Sequence, residues 1–69
     1  MEDAKRLIEE IRIIEAEREF NIGDFYLRRK KPAAAAMYFE YVKRDFPGTI
    51  WAERANERIE FQRMIEAIK

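Results

Sequence analysis

Gly23-Asp24-Phe25-Tyr26-Leu27-Arg28-Arg29-Lys30-Lys31-Pro32-Ala33-Ala34-Ala35-Ala36-Met37-Tyr38-Phe39 is the stretch on which the fold turns. It passes from a small residue through aromatic ones to four cations, then restarts at a proline followed by four alanines. Proline suits the first position of a helix, where its missing N–H would be unpaired anyway. Lys31-Pro32 therefore reads as the start of a second helix after a basic turn. Gly23 and Ala35 are small where two antiparallel helices cross closely, and Tyr26 and Phe39 fill the space beside them. The alanine run is strong helix propensity at a tight crossing.

Further along, Phe46-Pro47-Gly48-Thr49 is the one strong stop. Pro47 pushes Phe46 away from helical angles, Gly48 permits a turn, and Thr49 suits an N-cap. Helices are predicted over about 2–30, 32–45 and 50–68, each with the 3.6-residue period. In the first, Leu7, Ile11, Ile14, Ile22, Phe25 and Tyr26 form a stripe that Ile8, Ala16, Phe20 and Leu27 broaden. In the second, Ala35, Phe39, Val42 and Phe46 form one apolar face; Ala34, Met37, Tyr38 and Tyr41 form another. The third carries Trp51, Ala55 and Ile59 on one side and Phe61, Met64, Ile65 and Ile68 on a rotated one. Two apolar faces place the second helix at the centre, with the others antiparallel to it on either flank.

Residues 16–49 form a 34-residue unit that resembles a tetratricopeptide repeat. Ile22, Gly23, Tyr26, Ala35, Phe39, Val42 and Pro47 fall on its packing positions in register; Glu19 stands where a tryptophan is often found, with Phe20 next to it. The wording from Glu19 to Lys31, Phe39-Glu40-Tyr41-Val42, and Asp45 to Ala52 is similar to a late repeat of the BamD/YfiO-type lipoproteins. That resemblance covers residues ~7–60. It implies an all-α fold, a TPR-like antiparallel hairpin with a long first helix and a C-terminal capping helix. It also implies a parent that is periplasmic and outer-membrane associated, helps assemble β-barrels, and docks on another envelope protein. Those lipoproteins have several repeats, a signal peptide and a lipidated Cys, whereas the 69 residues here hold no Cys. Glu60 occupies the small-residue position of a second crossing, so the third helix reads as a cap. The expectation is an excised or engineered single-repeat fragment, divided into an extension (1–15), a repeat (16–49) and a cap (50–69), with its own location left open.

Composition narrows the chemistry. Lys plus Arg and Asp plus Glu are 14 each, which argues against general nucleic-acid binding. With no Cys, His or Ser, thiolate and serine nucleophiles and the common zinc sites are excluded. No apolar run approaches the ~20 residues of a membrane span. No enzyme, cofactor or metal site is expected. The basic run Arg28-Arg29-Lys30-Lys31 complements a helix C-terminus. Trp51 with Tyr38 and Tyr41 is read as packing the second helix on the third. Asn21 and Asp24 fall on a face that would line a repeat groove. Glu2 with Arg6, Glu40 with Arg44, Glu9 with Arg12, Glu15 with Arg18, and Glu60 with Arg63 are one-turn ion pairs.

Lengths then supply the functional expectation. The first helix is about twice as long as the second, so nothing in the chain lies beside residues 2–15. Yet that segment carries Leu7, Ile8, Ile11, Ile13 and Ile14, with Leu7, Ile11 and Ile14 at coiled-coil spacing. Phe61, Met64, Ile65 and Ile68 are the other unspent surface. Leu7, Ile8, Ile11 and Ile14 with these four are the expected self-association residues. The expected partner is a second copy, most simply in a two-fold dimer.

Overall fold

The computed structural model describes residues 2–68, except for the side chain of Glu2, so the Glu2–Arg6 pair lies outside the described residues. It holds three helices: α1 (Glu2–Arg28), α2 (Pro32–Asp45) and α3 (Ile50–Ile68). The fold is all-α, a TPR-like antiparallel hairpin with a third helix packed on it, and it is 52 Å long.

Each boundary has a local cause. The first helix stops at Arg28, two residues before the predicted end, because Lys30 turns left-handed at φ 62°. Its N–H donates to the Leu27 carbonyl at 3.1 Å and that of Lys31 to the Tyr26 carbonyl at 2.9 Å. Together they form the paired bonds that close a helix C-terminus at a left-handed residue. Pro32 opens α2 at its first turn. At the second turn Gly48 takes φ +83°. Thr49 Oγ1 donates to the Phe46 carbonyl at 2.8 Å and accepts the Ala52 N–H at 3.1 Å, which makes it the N-cap of α3.

The core is small and built around one ring. Ala16, Phe20, Ala35, Phe39, Val42, Ala55 and Ile59 are buried, and Tyr26, Leu27, Phe46, Trp51 and Ala52 pack against them. Phe20 of α1 meets Phe39 of α2 at 5.4 Å and Trp51 of α3 at 5.3 Å, centroid to centroid. An indole thus reaches Phe20 from the third helix, while Glu19 stands at the position where the repeat pattern often has tryptophan. Because α1 and α3 touch each other as well as α2, α3 does not simply flank the second helix.

Three details of the sequence reading are corrected. On α1 the inward side is Ala16, Phe20 and Gly23, while Leu7, Ile11, Ile14 and Phe25 lie on the opposite, exposed side. On α2 the second apolar face is not a helix contact throughout: Tyr38 stacks on Tyr26 at 5.5 Å, but Met37 and Tyr41 are exposed. Trp51 packs on α1 rather than on the tyrosines.

Candidate interaction surfaces

Of the repeat-type residues, Gly23, Tyr26, Ala35, Phe39 and Val42 lie where α1 meets α2. Ala35, Phe39 and Val42 are fully buried, Ile22 and Tyr26 are half-buried, and Pro47 is exposed in the turn. At Gly23 the helices come so close that a Cβ would sit 2.7 Å from Phe39 Cε1. This cluster holds the hairpin together and leaves no room for a ligand.

The extension lies beyond this core. Among the described residues, the first buried side chain of α1 is Ala16. Before it, Leu7 and Ile8 are each 57% exposed, Ile14 56% and Ile11 47%. Ile13 is exposed too, on a different side of the helix. The stripe continues past the extension at the same 4-3 spacing, through Arg18 and Asn21 to the exposed Phe25.

Helix α3 mirrors this. Ala55 and Ile59 face the core, and Gln62 Nε2 donates to the Pro32 carbonyl at 3.2 Å, tying α3 to the start of α2. Phe61, Met64, Ile65 and Ile68 all point outward. Ile50, exposed at the start of the same side, was missed by the sequence reading; Phe25, which that reading placed on the stripe of Leu7, Ile11 and Ile14, is exposed with them. The signal for Ile50 was the unbroken 4-3 spacing, which polar residues at 54 and 57 interrupt in chemistry but not in position.

Among the described residues four ion pairs form on the surface. Arg12 pairs with Glu9 at 3.1 Å and Arg63 with Glu60 at 3.8 Å. Glu15 and Arg18 do not close to pairing distance among the described residues. Arg44 donates to Asp45 rather than to Glu40, at 3.1 Å, and its guanidinium lies over the Tyr41 ring. Its pKa is raised from the ordinary value, chiefly by that hydrogen bond to Asp45. Asp24, placed on a groove face by the sequence, is taken up by Arg58 of α3 at 3.2 Å. In the basic run, Arg29 stacks on Phe25 and the four cations are exposed around the turn. Among the described residues there is no cluster of metal-ligating side chains, and no helix is long and apolar enough to cross a membrane.

The arrangement therefore offers two outward apolar stripes at opposite ends and a shallow, open surface elsewhere. A family model described as YfiO, outer membrane lipoprotein, matches residues 1–67. No curated protein and no solved structure matches the chain.

Proposed function

The chain belongs to the YfiO outer membrane lipoprotein family, and from that premise we propose that it is a non-enzymatic protein-interaction module that associates with itself through apolar helix faces. In this reading residues 1–15 are the oligomerisation extension, 16–49 a single repeat and 50–69 its cap. The observation that carries it is the exposure of Leu7, Ile8, Ile11 and Ile14 on a stretch of α1 that precedes the core. Burying such a side chain is worth roughly 1.5–3 kcal/mol when complete. A chain this small has a total stability of only about 5–10 kcal/mol. Leaving that stripe in water forgoes a large fraction of what holds the molecule together. A second copy carries the matching surface, and its mechanism is burial without chemistry.

Sedimentation equilibrium over a wide concentration range tests the reading. The wild-type chain is expected to form a defined dimer, and an Ile11→Asp/Ile14→Asp variant is expected to sediment as a helical monomer. An unchanged oligomer in the variant would refute the assignment.

Family membership favours a second reading, in which the same stripes take a helix of another envelope protein at the outer membrane. That reading expects a wild-type monomer whose α1 amides become protected from exchange only when the envelope partner is added.

A further inference from the structure

The two stripes share a side of the molecule. On α1, Leu7, Ile11, Ile14 and Phe25 lie about half a turn from Ala16 and Gly23, which face α2. On α3, Ile50, Phe61, Met64 and Ile68 lie close to half a turn from Ala55 and Ile59, which are buried. Both helices run antiparallel to α2, and they meet each other at Asp24 and Arg58. Their outward stripes thus look away from α2 together. The apolar part of one sits at the N-terminal end of the molecule, that of the other at the opposite end.

Spacing and charge then fit a second copy turned end for end. The α1 stripe runs 7, 11, 14, 18, 21, 25, and the α3 stripe read backwards runs 68, 64, 61, 57, 54, 50, with the same alternation of four and three. Laid antiparallel in that register, Leu7 meets Ile68 of the second copy, Ile11 meets Met64, and Ile14 meets Phe61. The polar interruptions coincide as well: Arg18 falls opposite Glu57, and Asn21 opposite Arg54. Phe25 then falls on Ile50. Residues 2–19 carry seven carboxylates against four cations, and residues 50–69, along which they lie in the second copy, carry four of each, so the acidic end meets a balanced face rather than a like-charged one. The cost lies on one edge, where Glu10 and Glu17 approach Glu60 and Glu53 of the second copy, exposed charges that water screens. Pairing two α1 stripes with each other instead would leave the α3 stripe uncovered.

We propose that the chain forms a two-fold antiparallel dimer in which the α1 stripe of each copy packs along the α3 stripe of the other. It rests on the self-association reading and adds the pairing to it. Symmetry uses each contact twice and closes the assembly.

The absence of native cysteines makes the test direct. Full-length Ile11→Cys and Met64→Cys chains, mixed and mildly oxidised, are expected to give the mixed disulfide, with little Ile11→Cys homodimer. Arg18→Glu and Glu57→Arg, both at exposed positions, are each expected to loosen the dimer about tenfold. Both changes in one chain are expected to restore it, with the circular dichroism melt of the dilute chain unchanged throughout. A dominant Ile11→Cys homodimer, or charge changes whose effects merely add, would overturn the pairing while leaving self-association standing. A wild-type chain that stays monomeric at every concentration would overturn the self-association reading itself.

Discussion

At the scale of single residues, two backbone positions decide how α1 meets α2. Gly23 lies under the ring of Phe39, which is fully buried and has nowhere to move. Gly23→Ala would add helix propensity yet force that ring aside, and overpacking of this kind costs about 1–3 kcal/mol. We expect the net effect to be a lower melting temperature, read by circular dichroism. Lys30 is the reverse case. It holds a left-handed conformation with a side chain that disfavours it, at an exposed position. Lys30→Gly removes a strain of roughly 1 kcal/mol at a helix terminus. The chain is expected to melt about 4–8 °C higher for each such kcal/mol gained. A fall in the melting temperature would mean that the Lys30 side chain contributes something the backbone geometry does not reveal.

At the scale of elements, the helix ends were legible because their causes are local. Pro32, Pro47, Gly48 and Thr49 act through their own backbone and side chains, and the boundaries they set for α2 and α3 stand as read. Thr49 is the clearest: its hydroxyl serves both Phe46 and Ala52 while the residue is buried. Thr49→Ala is expected to cost about 1 kcal/mol of stability, measured by urea denaturation, with fraying confined to the first turn of α3. The sequence placed Gly23 at the crossing yet grouped Ala16 and Phe20 with the stripe of Leu7, Ile11 and Ile14, and so left open which apolar side of α1 faces inward. A 3.6-residue period gives angles, not direction, and α1 has apolar residues on two sides. Size decided it. Ala16 and Gly23 allow close approach, so the small residues mark the inside and the large aliphatics at 7, 11 and 14 are left outside. The same rule explains why Met37 and Tyr41 of α2 are exposed while Ala35 is buried. The end of α1 was misplaced for another reason: a left-handed lysine leaves no signature that distinguishes it from a helical one.

At the scale of the whole molecule, the proposed dimer would separate the residues that fold the chain from those that associate. The core begins at Ala16, so a chain beginning at Glu15 is expected to keep all of α2 and α3 and to unfold in one transition. Its melting temperature should not depend on concentration, whereas that of the full chain should rise as the dimer fills. Loss of helix in α2 or α3 on truncation would show instead that the extension supports the core. Helix α1 runs without a break from Glu2 to Arg28. The part before Ala16 is a cantilever about 20 Å long, clamped where Ala16 and Phe20 enter the core. A sideways pull at its tip acts on that clamp with the full length of the arm. Whatever grips the tip therefore gains leverage over the crossing at Gly23 and Phe39, where not even one added methyl would fit.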